Sequence, residues 1–356
     1  MKLLICAPDI FAGDAVGNHC LGIARSSKRL GLNHEIFAQR FDAVDQGVQP
    51  IDKLFQNVDR DDILLVSYSI LDPYLDKLLL LECHKICYFH GVTPPELLQD
   101  FEPVTADLCR EAIQQLPQLS GFDLIIANSL NSAEYLANYI DKKSIRIVPP
   151  VFADMPLFQQ TPAHRLPSKN SPNLLVVGRV VPHKNIELAI ALLAHLRKRN
   201  VDATLSIVGS MPNYDYSKFL INHARALGVL EYVDFNGMLD NTDLFHCYES
   251  SDALIIMSRH EGFCIPVLES MYFGKPVLVR SGTAAQELCF PEDIISADDN
   301  LDIWADTLIN RLNDKSIFQA PSDNRYALQA KIILQNTSDE VWHGLLNPFT
   351  LSEQHD

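Results

Sequence analysis

The stretch Ala253-Leu254-Ile255-Ile256-Met257-Ser258-Arg259-His260-Glu261-Gly262-Phe263-Cys264-Ile265-Pro266-Val267-Leu268-Glu269-Ser270-Met271 reads as a short apolar run, a polar turn and the start of an amphipathic segment. The run 253–257 has the length and aliphatic composition of a buried strand. Pro266 suits the first turn of a helix, where its missing N–H is not needed and its φ is already set. The pattern predicts a helix over 266–273, and a second apolar run follows at 276–279. Strand, helix, strand in this order is a βαβ unit, which needs a parallel sheet.

The same alternation extends in both directions. Strands are predicted at 173–177, 203–208 and 232–235, with helices over 184–199 and 214–227. In the first half, strands are predicted at 3–7, 35–38, 63–68, 85–89, 124–127 and 145–148, with helices at 18–30 and 132–140. Between the halves, residues 149–172 carry Pro149, Pro150, Pro156, Pro162, Pro167 and Pro172 with little periodicity, which is a linker pattern. The chain of 356 residues fits two domains at roughly 150 residues each. The expected fold is α/β, two doubly wound Rossmann-like domains facing across a cleft, with ligands bound beyond the carboxyl ends of the strands.

Composition excludes several function classes. Acids outnumber bases 45 to 29, a formal charge of −16, with a pI near 5.1. A sequence-independent nucleic-acid binder needs a basic field, and a polybasic membrane anchor needs a basic patch. No apolar run reaches the roughly 18 residues of a membrane helix. The N-terminal run is interrupted by Pro8-Asp9 and reads as a first buried strand, not a signal peptide. The eight cysteines are scattered and read as reduced core residues. The densest cluster, Cys83-His84-Lys85-Ile86-Cys87, lacks partners for a zinc site.

No P-loop and no GxGxxG fingerprint occurs, so a P-loop NTPase and a standard dinucleotide dehydrogenase are not expected. The 15 glycines are few, so those that follow strands are informative. Gly13 and Gly17 follow the first strand and open a helix, either as a close-approach loop for an anionic ligand or as an ordinary βα connection. Arg179 and Lys184 follow the strand 173–177, where two cations suit a diphosphate, although alone they would read as solvated charges. Beyond 253–257, the amides from Gly262 through Phe263 and Cys264 to Ile265 precede Pro266 and form a candidate anion site. Glu261 and Glu269 flank that turn. Such a pair suits a nucleotide sugar, with one carboxylate on sugar hydroxyls and the other on ribose. The plainer alternative is a loop acid and a helix-start carboxylate stabilised by the helix dipole.

Glu261-Gly262-Phe263-Cys264-Ile265-Pro266-Val267-Leu268-Glu269 resembles the E-x7-E signature of the retaining glycosyltransferases of family 4, which have the GT-B fold. Gly178-Arg179 with Lys184-Asn185 looks like that family's donor-phosphate segment. Val233-Asp234-Phe235-Asn236-Gly237 looks like its base-side strand and loop, and Tyr248 with Ser251-Asp252-Ala253 like the stretch before the signature strand. Gly274-Lys275-Pro276-Val277 follows in the family's order, so the motifs run from 174 to 288. The first half is looser. His90-Gly91-Val92-Thr93-Pro94 is similar to a His-x-x-Thr-Pro segment of bacterial polysaccharide and O-antigen sugar transferases. Unaided, His90 would read as a core histidine. Cys264 departs from the glycine common at its position, and the turn is expected to survive if Cys264 keeps an ordinary backbone angle.

The resemblance implies an acceptor-side domain over 1–160, a nucleotide-sugar domain over 161–335, and a segment 336–356 that returns to the first domain. It implies hexosyl transfer with retention, from a GDP- or UDP-linked donor to a hydroxyl of a glycan or lipid-linked glycan. Glu261 would hold the transferred sugar, Glu269 the ribose, and Arg179 and Lys184 the diphosphate. Gly13 and Gly17 would open the acceptor-side loop toward the diphosphate, and His90 would face the sugar. Base choice would rest on backbone near Gly237 and Met238. No cofactor or metal is implied, since Asp59-Arg60-Asp61 precedes a strand and so belongs at the sheet's amino end. A cytoplasmic location is expected, with peripheral contact at the inner membrane face left open. The rival readings are a nucleotide-sugar 2-epimerase of the same architecture and a non-catalytic nucleotide-sugar-binding protein.

Overall fold

A computed structural model describes residues 1–11, 14–42, 47–151, 154–163, 167–168, 171–314, 317 and 323–350. The chain divides into two compact units. The first comprises residues 1–94, 107–154 and 334–356, and the second residues 95–106 and 155–333. The break at 154 falls within the Pro-rich stretch. The assignment of 95–106 to the second unit is not visible in composition.

The first unit carries a seven-stranded sheet. Its strands are β1 (Leu3–Ile10), β2 (His34–Phe41), β3 (Val48–Pro50), β4 (Ile63–Tyr68), β5 (His84–Phe89), β6 (Leu124–Ala127) and β7 (Ile145–Ile147). The helices that follow them include α1 (Ala15–Arg29), α2 (Leu75–Leu79), α3 (Pro103–Gln115) and α4 (Leu130–Leu136). The order is β3-β2-β1-β4-β5-β6-β7, and each paired register is parallel. Every residue of β4 is buried, which explains its unbroken apolar run. Asp14 caps α1 by accepting from the Val16 amide at 2.9 Å.

The second unit carries a six-stranded sheet of order β10-β9-β8-β11-β12-β13. These are β8 (Asn173–Val177), β9 (Thr204–Val208), β10 (Val233–Gly237), β11 (Ala253–Ile256), β12 (Val277–Arg280) and β13 (Ile294–Ile295). The connecting helices are α5 (Ile186–Lys198), α6 (Tyr214–Ala226), α7 (Asn241–Ser250), α8 (Ile265–Tyr272), α9 (Leu301–Asn313) and α10 (Arg325–Gln335). β8 pairs with both β9 and β11, so strand order reverses between β8 and β11. That is the topological switch point, where loops diverge and leave a crevice at the strands' carboxyl ends. It is where the segments after 177 and after 257 emerge.

The last helix, α11 (Asp339–Thr350), completes the core of the first unit. Trp342, Leu345 and Leu346 are buried among Ile5, Ile23, Tyr88 and Ile126. Asp339 accepts from Arg29 of α1 at 2.6 and 2.8 Å. β3 and β13, of three and two residues, are too short to give a periodic signal in sequence.

Candidate active site

The second unit's crevice is built from two loops that are zipped together. Pro182–Lys184 form a single 3-10 turn, and Asn185 then adopts a left-handed conformation with φ 54°. Asn tolerates this region better than most residues. Its side-chain amide donates to the Met257 carbonyl at 3.1 Å. For that reason α5 starts at Ile186 and not at 184, where periodicity places it. The Arg259 amide donates to the His183 carbonyl at 2.8 Å, and the Arg259 guanidinium lies 3.9 Å from Glu187.

At the centre, Lys184 Nζ donates to both oxygens of Glu261, at 2.8 and 2.9 Å. Glu261 is 7% exposed and the Lys184 side chain 21%. Burial alone would lower the Lys184 ammonium, but the Glu261 carboxylate more than reverses this and holds it above the ordinary lysine value. The two expected contacts to a donor, a phosphate cation and a sugar carboxylate, are therefore partners of one another here. Arg179, at the same strand end, is exposed. Gly178, with φ +141°, takes a backbone conformation that favours glycine, while the space beside it would admit a Cβ in ordinary contact with Lys184. A Cβ on it would lie 3.6 Å from Lys184 Cε.

The floor is stitched by glycines. Gly178 donates to Val208 O at 2.9 Å, Gly209 to Gly237 O at 2.8 Å, and Val180 to Ser210 O at 2.8 Å. Gly209 has φ +146°, and a Cβ there would sit 1.9 Å from the Gly178 carbonyl oxygen. Only glycine fits. Sequence reading passed over Gly209, although it directly follows a predicted strand just as Gly178 does. Gly237 ends β10 with φ +68°, and Met238 beside it is 71% exposed.

Glu261 precedes, and Glu269 lies within, the turn-and-helix of the signature. Cys264 caps α8 with φ 76° and ψ 68°. The condition set on Cys264 in the sequence, an ordinary backbone angle, is not met, yet the turn forms. The turn needs the left-handed region that glycine would fill without strain. Ile265 opens α8 and Pro266 follows as its second residue, so the first turn carries one donor fewer. The Val267 amide returns to the Cys264 carbonyl at 3.1 Å. Glu269 is 4% exposed and accepts from Tyr248 Oη at 2.5 Å. Burial pushes its carboxyl up to about 7, with the Tyr248 bond opposing.

In the first unit, Gly13 lies outside the described residues. Gly17 is buried in α1, and a Cβ there would stand 2.1 Å from the Phe11 carbonyl oxygen. Its role in this fold is thus close packing of the loop on the helix. His90 follows β5 and is 9% exposed. Its ring packs on Tyr88 and His19, at 4.8 and 5.0 Å between centroids. Burial pushes its imidazole down to about 3, so it is neutral near pH 7. Asp59 and Asp61 precede β4, at the amino end of that sheet. No group of three or more metal-ligating side chains occurs among the described residues. No helix among them is long and apolar enough to cross a membrane.

Residues 159–328 match the family described as Glycosyl transferases group 1. A glycogen synthase of Mycobacterium tuberculosis is 35% identical over 119 residues, 33% of this chain and 28% of the synthase. Mannosylfructose-phosphate synthase of Agrobacterium fabrum is 26% identical over 169 residues, 44% of this chain and 37% of that enzyme. The chain thus spans well under half the length of these relatives. Among solved structures, WaaG, a glycosyltransferase involved in lipopolysaccharide biosynthesis, aligns with a TM-score of 0.72 at 15% identity, covering 96% of this chain and 99% of WaaG. Anabaena HepE, solved with UDP and glucose, aligns at 0.72 and 17% identity, over 99% of this chain and all of HepE. The fold is GT-B. Over residues 159–328 the chain is thus similar to glycosyltransferases.

Proposed function

We propose that this protein is a retaining glycosyltransferase of the E-x7-E type, moving a hexosyl group from a nucleoside-diphosphate sugar to a hydroxyl of a glycan or lipid-linked glycan. One observation carries the reading. Lys184, Glu261 and Arg179 gather at the β8/β11 switch point, beside the N-terminus of α8. Cations, a carboxylate and a helix start at one strand edge suit a sugar joined to a diphosphate.

In this reading the acceptor oxygen bonds to the anomeric carbon on the face from which the diphosphate departs. The bond from that carbon to the phosphate oxygen breaks, and the hydroxyl proton passes to the leaving phosphate. No protein nucleophile is needed. Arg179, Lys184 and the α8 dipole stabilise the growing phosphate charge, a preorganised contribution worth about 3 kcal/mol per donor. Glu261 orients hydroxyls of the transferred sugar, and Glu269 those of ribose. Backbone near Gly237 and Met238 meets the base. In this reading Arg179 and Lys184 balance the phosphates in place of a metal, so activity is proposed to be metal-independent and without a cofactor. A cytoplasmic site of action, with peripheral contact at the inner membrane face, fits a lipid-linked acceptor.

HepE has been solved with UDP-glucose, and a matched Escherichia coli relative is named a serotype-specific mannosyltransferase. UDP-hexoses and GDP-mannose are therefore the first donors to test. Calorimetric titration across GDP-, UDP- and ADP-sugars, followed by product analysis, tests the proposal. Free nucleotide plus a new glycoside supports it. An isomerised donor would point to a 2-epimerase, and binding without turnover to a non-catalytic binder.

A further inference from the structure

Residues 95–106 follow β5 and His90 in the chain, yet they pack in the second unit. What holds them there is specific. Asn213, the cap of α6, donates its side-chain amide to the Phe101 carbonyl at 2.6 Å, while its oxygen accepts from the Tyr216 amide at 2.9 Å. The Phe101 ring meets Tyr216 edge-on at 5.1 Å and Phe219 at 5.7 Å.

Tyr216 is 1% exposed and reaches the other way. Its hydroxyl donates to Glu187 Oε2 at 2.5 Å and accepts from the Ile186 amide at 3.3 Å. These are the first two residues of α5, directly after Lys184 and Asn185. Glu187 in turn lies 3.9 Å from Arg259, whose amide and guanidinium hold the His183 and Pro182 carbonyls at 2.8 and 3.4 Å. A contiguous set of contacts thus runs from Phe101 through Tyr216 to both loops that carry Lys184 and Glu261. The same segment reaches the site electrostatically. Burial pushes the Glu102 carboxyl up, and the Arg179 guanidinium opposes that shift.

We infer that Tyr216 is a positioning residue for the donor-phosphate loops, and that Phe101 of the 95–106 segment holds Tyr216 in place for that task. Only the ligand in this inference rests on the glycosyltransferase reading. The positioning itself does not. Tyr216→Phe keeps the ring against Phe101 and removes the hydroxyl. Phe101→Ala keeps the hydroxyl and removes its support.

The test pairs two measurements on the full chain. Hydrogen exchange without ligand should show faster exchange for 182–187 and 257–261 in both variants, with β8, β11 and the first unit unchanged. Titration with UDP and GDP should show about a tenfold loss of affinity for the nucleotide that the unaltered protein binds. A purely structural role would lower the melting temperature without singling out these two loops. Wild-type exchange at both loops in Tyr216→Phe overturns the inference. So does local loosening with full nucleotide affinity. If the unaltered protein binds neither nucleotide, the reading of a UDP- or GDP-linked donor fails while the exchange data still decide the positioning role.

Discussion

Lys184 Nζ bonds both carboxylate oxygens of Glu261, at 2.8 and 2.9 Å, across 77 positions of sequence. This pair joins the loops after β8 and β11, so neither residue can be altered without consequence for the other. Lys184→Met leaves the buried Glu261 charge without its cation. Breaking a buried pair costs about 3–5 kcal/mol, and the partial exposure of Lys184 places this one at the low end. Nucleotide binding should also be lost. Glu261→Gln frees Lys184 for phosphate, so nucleoside-diphosphate affinity should hold or rise while transfer falls roughly 10- to 100-fold. The double variant should regain stability but not binding. Urea denaturation and calorimetry on all four proteins check this. Equal loss of nucleotide affinity in Glu261→Gln and Lys184→Met would show that the roles are misassigned.

Glu269 makes a distinct prediction through pH. Its carboxyl is pushed up to about 7 from an ordinary value of 4.5. Between those values the folded state holds a proton that the unfolded state releases, so this group's contribution to stability falls as pH rises through that window. Tyr248, its hydrogen-bond partner, is held well above the ordinary tyrosine value and does not titrate there. Glu269→Gln removes the buried charge while retaining an acceptor for Tyr248. The variant should therefore gain stability over the unaltered protein progressively from pH 5 to pH 8, while binding nucleotide more weakly. Thermal melts at both pH values measure the gap. A gap that is constant or narrows would contradict the buried-charge account.

Cys264 sits in the left-handed region at φ 76°. A side chain there costs about 1–2 kcal/mol, more when β-branched. Glycine would recover much of this but lose thiol packing and chain entropy. Cys264→Gly should therefore lie within about 1 kcal/mol of the unaltered protein, whereas Cys264→Val should lose roughly 2–3 kcal/mol. The order is the test in denaturant titration. An ordinary backbone angle would make valine the better tolerated of the two.

Gly209→Ala places a methyl carbon 1.9 Å from the Gly178 carbonyl oxygen, at φ +146°. Backbone must move, at a cost of about 3 kcal/mol or more. The displaced atoms belong to the loop that carries Arg179 and Lys184, so nucleotide affinity should fall with stability. Gly228→Ala, also at positive φ but with open space around it, is the control and should cost only the local strain. Similar effects from both would mean that the close approach does not matter.

Much of the fold is legible in the sequence. The parallel alternation and the loops at the switch point follow from residues that specify local structure strongly, such as the buried run of β4 or Pro266 at a helix start. What escaped depends on contacts between distant segments. Nothing local in Asn185 says that its amide will reach Met257, or that its backbone will turn left-handed. The Lys184–Glu261 pairing needs both loops in place. Residues 95–106 look like a connection after β5, and contacts such as the Phe101–Asn213 bond assign them to the second unit. Side-chain identity at Cys264 argues against positive φ, while the turn's geometry demands it.

The final prediction concerns α11. Trp342 is 1% exposed and packs on His19 and Tyr88, at ring separations of 5.8 Å each. Leu345 and Leu346 are buried beside it, and Asp339 pairs with Arg29. Removing a buried tryptophan to alanine costs about 3–5 kcal/mol. Trp342→Phe keeps an aromatic face against Tyr88 and should cost less than half as much. Truncation after Gln335 removes the whole set and should destabilise the first unit more than either substitution. Because α11 contributes to that unit's core and not to the crevice after β8 and β11, a folded fraction of Trp342→Phe should bind nucleotide with unaltered affinity. Denaturation followed by far-UV circular dichroism reports both units, while fluorescence of Trp304, the one tryptophan left in all three variants, reports the second unit alone. A truncated protein with unchanged melting and full activity would show that α11 is not part of the first unit's core.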